Sequence, residues 1–224
     1  MKTYIVIAAY NEEKSIAKVI DDLKNHGYKN IIVVDDGSSD KTYEIAKKKN
    51  VYVLKHIINR GQGAALKTGI DFALSKGADI IVTFDADGQH LAEDIENVIK
   101  PIANKEVDVV LGSRFLNKKV KVPFLKMLIL KGGVIFTWVF SGIKLTDTHN
   151  GFRAFSRDAA KKIKITQDKM EHASEIIDEI AKKKIKFKEV PVKIIYSEYS
   201  KAKGQSIFNS IKIAFKLIMS RLMR

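Results

Sequence analysis

An α/β fold with a mainly parallel central sheet, covered by helices on both faces, is predicted by three features of the sequence. Apolar runs of strand length alternate with segments of helical spacing through the first 113 residues. The runs are apolar at successive positions rather than at every second one, so the strands need cover on both sides. Each run also ends in a polar cluster, and in such sheets ligands sit beyond the carboxyl ends of the strands.

The elements follow in order. "TYIVIAA" (3 to 9) is the first strand, and Ile16, Val19, Ile20 and Leu23 come next at helical spacing. "NIIVVDD" (30 to 36) is the second strand, and "SSDKTYEIAKKK" opens with Ser and Asp as N-cap candidates. "VYVL" (51 to 54) reads as a strand and "GAALKTGIDFALSKG" as a helix ending at Gly77; "DIIVTFD" and "VDVVLGS" complete the series. The strand ends are "AYNEE", "DDGSSD", "DADGQH" and "GSR", which should converge on one face.

Beyond Arg114 the pattern changes. Residues 124 to 143 are strongly apolar, but Lys126 and Lys131 interrupt them, and the uncharged part from Gly132 to Ile143 falls short of the roughly 20 residues a span needs. An interfacial or buried helix is expected there, and a second amphipathic helix from Ser206 to Arg224, with Ile207, Phe208, Ile211, Phe215, Ile218 and Leu222 on one face. At least one of the two is expected to touch a membrane surface.

A single domain over 1–224 is expected, because 224 residues fill one substantial core. The net charge of +14 is unevenly spread: 15 Lys+Arg face 17 Asp+Glu up to Ser113, and 25 face 9 from Arg114 onward. The chain thus divides into a ligand-binding half, 1–113, and a basic half, 114–224, suited to a polyanionic partner or an anionic membrane. With Cys 0 there are no disulfides or thiolate metal sites. The seven-residue apolar start is a strand, not a signal peptide. No nucleic-acid motif is present, and aromatics are not interleaved with the basic runs.

Asp85 and Asp87, in "FDADGQH", flank one small residue after a strand. Such a pair fits a divalent cation completed by substrate phosphates, a general acid and base, or a helix-capping turn. Phosphate-loop, dinucleotide-binding and nucleophile-elbow motifs are absent, which removes the main support for kinase-like, dehydrogenase-like and serine-hydrolase chemistry. Asp35 and Asp36 offer carboxylates suited to base and ribose groups.

"AAYNEE", "VVDDGSSDKT", "NRGQGAALKTGI", "FDADGQH", "GSRF" and "DTHNGFRAF" stand in the order and rough spacing of the family 2 glycosyltransferases. The sequence most resembles their dolichol-phosphate mannose synthase subgroup, over about residues 3 to 200. The resemblance implies a GT-A fold, a nucleotide-sugar donor, Mg²⁺ or Mn²⁺, and inversion at the anomeric carbon. It implies that Ala8, Tyr10, Glu12 and Asp36 line the nucleotide pocket. Asp85 would lie near ribose and metal, with Asp87 and Gln89 as metal ligands; Asp87 and Arg114 would be the catalytic groups. Arg114 and Arg153 would bind substrate, and His90 would support the metal site or simply be a satisfied histidine.

Two acceptors remain open at this point. A sugar hydroxyl needs a base, for which Glu175 and Glu189 are candidates. A polyprenyl phosphate is already an oxyanion and needs cations instead. "YSEYSKAKGQS" stands where the subgroup has a mobile loop, with Lys201 and Lys203 about where relatives carry Arg; Lys203 is the expected phosphate contact, and Lys126 likewise replaces an Arg. The expectation is a polyprenyl (dolichyl) phosphate acceptor and peripheral attachment to the cytoplasmic face of the membrane, directly or through an anchoring partner, without nucleic acid.

Overall fold

The computed structural model describes residues 1–116, 124–148 and 150–195. The expected Lys201, Lys203 and the helix from Ser206 lie outside these residues. Within them is one seven-stranded sheet in the order β3-β2-β1-β4-β6-β5-β7. The strands are β1 (Thr3–Ala9), β2 (Ile31–Asp35), β3 (Tyr52–Lys55), β4 (Ile80–Asp85), β5 (Val109–Ser113), β6 (Arg153–Ser156) and β7 (Phe187–Pro191).

Period-two geometry explains why successive residues of β1 must all be apolar. Ile5, Ile7 and Ala9 enter one core layer with α1 (Ile16–Asn25) and α4 (Ile95–Ala103). Tyr4 and Val6 enter the other, with α3 (Gln62–Ser75), α6 (Arg157–Lys162) and α7 (His172–Lys182). The short α2 (Thr42–Lys47) packs near the β3 edge. Helices on both faces of a mainly parallel sheet match the fold class expected from the sequence.

One strand runs against the rest. β6 is antiparallel to both β4 and β5, with Arg153 opposite Thr83 and Leu111. It enters the sheet at the carboxyl ends of its neighbours, so the residues just before it lie over the edge where polar groups collect. β7 then pairs in parallel with β5, Leu111 opposite Glu189. Beyond it the chain crosses to the "DGQH" turn, where Ile194 bridges His90 and the Ile195 N–H donates to the Gln89 carbonyl at 2.9 Å.

The apolar stretch after β5 forms α5 (Phe124–Ser141), which packs against α7. Thr137 is buried, whereas Trp138 and Val139 are exposed, and the Lys144 ammonium lies 5.7 Å from the Trp138 ring. No helix of the described residues is long and apolar enough to cross a membrane.

Candidate active site

The polar clusters meet at the carboxyl edge because parallel register aligns the strand ends. Ala8 stands opposite Val34 of β2 and Asp85 of β4, which sets the end of β1 beside the acidic pair. Tyr10, just beyond, is 46% exposed. Asn11 adopts a left-handed φ of 53° and ties the first loop to the second: its N–H donates to Ser38 Oγ, and its Oδ1 accepts from the Ser39 N–H, both at 2.9 Å. The buried Glu12 adds a further tie, its N–H donating to Thr42 Oγ1 at 2.7 Å while its carboxylate accepts from Ser15 Oγ at 2.6 Å.

Asp36 is almost wholly buried, and its carboxylate is used by the chain itself. It accepts from the Gly61 N–H at 2.7 Å and the Arg60 N–H at 3.1 Å, and its Oδ1 lies 2.7 Å from His56 Nδ1. Gly37 has φ +70°, and a Cβ there would stand 2.6 Å from the Ile58 carbonyl carbon. Asp36 and Gly37 therefore brace the 56–61 loop between β3 and α3.

Asp85, Asp87, Gln89 and His90 come together at the end of β4. Gln62, from the first turn of α3, donates to Asp85 Oδ1 at 3.1 Å. Asp87 accepts the Gln89 N–H at 2.9 Å and also receives the Gln89 side-chain amide. The Asp85 N–H donates to His90 Nδ1 at 3.2 Å, so Nδ1 carries no proton and the imidazole is neutral with its proton on Nε2. His90 is buried, stacked on Phe152 with centroids 5.0 Å apart, and burial pushes its pKa down to about 4.

Desolvation raises the Asp85 pKa to about 6 against the pull of Arg114 and Arg153. It also raises that of Asp87, with Asp85 itself as the next contributor. Two desolvated carboxylates, one of which raises the pKa of the other, gain from a divalent cation beside them. Among the described residues no three carboxylate, imidazole or thiolate groups form an ion cage. Asp85, Asp87 and the Gln89 amide are the groups at this edge that could hold an Mg²⁺- or Mn²⁺-type ion, one that keeps water and takes substrate oxygens.

The segment before β6 closes the site from the other side. A Cβ on Gly151 would stand 2.7 Å from Asp85 Oδ1, so only glycine lets this backbone lie against the carboxylate. Asp147 Oδ2 accepts from Arg114 Nε at 2.6 Å and from the Arg114 N–H at 3.1 Å. Glu189 holds that segment in turn, accepting from the Thr146 N–H at 2.9 Å, Thr146 Oγ1 at 2.8 Å and the Asp147 N–H at 3.1 Å. Arg153 is buried and donates to the carbonyls of Asn150, Thr148 and Ala173 at 3.1 to 3.4 Å. Burial draws its pKa down to about 10, while Asp147 and Asp85 act against that. Glu175 accepts from the N–H groups of Thr166 and Gln167, both at 2.9 Å.

Ala8, Tyr10, Asp85, Asp87, Gln89 and Arg114 are therefore gathered at one edge, Arg114 in an ion pair with Asp147, whereas Glu12, Asp36, Arg153, Glu175 and Glu189 are held in contacts with the protein's own groups. Gln62, Asp147 and Gly151 are the site residues that the sequence reading did not single out, although each lies inside a quoted motif. Their roles depend on contacts across the sheet, which spacing along the chain does not reveal.

The chain matches the family model "Glycosyl transferase family 2" over residues 4–164, and it is a member of that family of glycosyltransferases. Among relatives, an uncharacterized protein of Methanocaldococcus jannaschii is 47% identical over 98% of this chain and 92% of that one. The UDP-N-acetylglucosamine–dolichyl-phosphate N-acetylglucosaminyltransferase of Methanococcus voltae is 41% identical over 98% of this chain and 96% of its own length. A dolichyl-phosphate β-glucosyltransferase of Trichomonas vaginalis is 33% identical over 96% of this chain and 71% of its own. In fold, the chain is similar to Mycobacterium tuberculosis glucosyl-3-phosphoglycerate synthase in complex with Mn²⁺, UDP and phosphoglyceric acid. The TM-score is 0.75, over 99% of this chain and 78% of that one, at 15% identity.

Proposed function

We propose that this enzyme transfers one sugar, with inversion, from a nucleoside-diphosphate sugar to a polyprenyl (dolichyl) phosphate at the cytoplasmic face of a membrane. The carrying observation is the state of its spare carboxylates. Glu175 and Glu189 each spend their carboxylate oxygens on several hydrogen bonds from backbone and hydroxyl groups, so neither is turned toward the proton of a sugar hydroxyl. A phosphate oxygen needs no such base. The names of the Methanococcus and Trichomonas relatives support the same acceptor class.

In this reading Ala8, Tyr10 and Glu12 receive the nucleoside, and Asp36 contributes through the 56–61 loop that it fixes. Asp85, Asp87 and Gln89 would hold Mg²⁺ or Mn²⁺, which when bound would supply Lewis-acid charge to the leaving diphosphate. Arg114, aimed by Asp147, offers its cation to phosphate. Arg153 adds buried positive charge behind Asp85. The basic half, with Lys203, meets the acceptor and the bilayer.

Asp87→Ala should lower turnover by about 10²-fold or more at saturating divalent cation, the scale of losing a principal charge-stabilising group. Steady-state transfer rates for the variant and the parent test this. Unchanged turnover would remove Asp87 from the chemistry.

A further inference from the structure

Ile57 is 98% exposed and Ile58 68%, side by side in the loop between β3 and α3. Two adjacent isoleucines held this far into water are a candidate contact surface. The loop does not present them by being slack. Asp36 holds it at Arg60 and Gly61 and stands against His56, and Gly37 packs on the Ile58–Asn59 peptide. The two side chains are thus held outward on a braced turn, at the carboxyl edge where the acidic pair lies.

The surroundings indicate the occupant. β3 is the outermost strand, and α2 packs beside it. The ammonium groups of Lys55 and Lys47 lie 4.6 and 5.8 Å from the Tyr43 ring, and Lys48, next in the chain to Lys47, is exposed. Glu44 is the exposed acid on α2, and Arg60 is paired with Asp168 at 3.4 Å. An apolar tip beside exposed lysines matches an anionic bilayer, which takes isoleucine into its acyl boundary and lysine at its headgroups. Lysine is depleted at protein interfaces and drawn to anionic headgroups, which favours a bilayer over a second copy of the chain.

We propose that the Ile57–Ile58 turn is a membrane-inserting contact for anionic lipid, distinct from α5. It rests on the lipid-phosphate reading only for the choice of a bilayer as occupant. The effect is to present the carboxyl edge of the sheet to the membrane, where a lipid-linked phosphate resides.

The sequence has Cys 0, so one introduced thiol is the sole labelling position. Ile57→Cys carrying a polarity-sensitive fluorophore should shift to the blue on phosphatidylglycerol vesicles and not on phosphatidylcholine vesicles. Ala103→Cys, exposed at the end of α4, should stay unshifted on both. The unlabelled Ile57→Ser/Ile58→Ser variant should sediment with phosphatidylglycerol vesicles about tenfold less than the parent, with an unchanged melting temperature.

A label that stays water-like while the protein sediments with the vesicles overturns the proposal. So does a protein that does not sediment with them, a shift that needs only added nucleoside diphosphate, or one that grows with protein concentration without lipid. Sugar transfer measured separately in detergent distinguishes the two claims: transfer without insertion refutes this contact alone, and insertion without transfer refutes the acceptor alone.

Discussion

Glu189 illustrates how a carboxylate's role depends on what reaches it. In the sequence it is a candidate base; in the fold it lies opposite Leu111 and accepts from Thr146 and Asp147, which aims Asp147 at Arg114. Glu189→Gln keeps an acceptor oxygen and should retain most turnover, whereas Glu189→Ala should raise KM for the donor about tenfold as Arg114 loses its bearing. Equal, near-complete loss in both variants, with an altered pH profile, would return Glu189 to the role of base. His172 makes a second case. Its Nδ1 donates to the Lys169 carbonyl at 2.7 Å, and burial lowers its pKa from 6.5 to about 4. The unfolded chain therefore takes up this proton first as pH falls, so the stability is present above 6.5 and lost toward 4. The loss is on the order of 3 kcal/mol. His172→Asn keeps a donor and removes the titration, so urea unfolding across this pH range should show a flatter slope than the parent; identical slopes would contradict the assignment.

Elements were legible where one periodicity ran unbroken. β1, β2, β4 and β5 are long apolar runs buried on both faces, and α1 buries the Ile16, Val19, Ile20 and Leu23 stripe that its spacing predicts. β6 was not legible: its four residues, "RAFS", begin with an Arg buried by carbonyl contacts from the preceding turn and α7, a tertiary arrangement with no local signature. The acidic pair was legible as a cluster, but its closure by Gly151 was not. Close approach also governs the start of α3, where a Cβ on Gly63 would stand 2.0 Å from the Gln167 carbonyl oxygen. Gly63→Ala should push that segment away and cost about 2 kcal/mol or more, seen as a lower melting temperature. An unchanged melting temperature would mean that the 167–168 segment yields freely.

At the scale of the molecule, a near-neutral half supplies the acidic pair and a basic half closes the site over it and carries the surplus charge, 25 Lys+Arg against 9 Asp+Glu. That asymmetry was readable from the sequence, yet charge alone does not separate a lipid phosphate from any other polyanion. The fold adds that the carboxyl edge holds both the acidic pair and the Ile57–Ile58 turn, so the proposed donor site and the proposed bilayer contact share one side of the sheet. The most direct measurement is transfer of radiolabelled sugar from GDP- and UDP-sugars to dolichyl phosphate with Mn²⁺ or Mg²⁺, with Asp87→Ala as control. The account predicts label in the organic phase from one donor, abolished by chelation and by the variant. Metal-dependent donor hydrolysis with no lipid label from any donor would contradict it and move the acceptor to a hydroxyl.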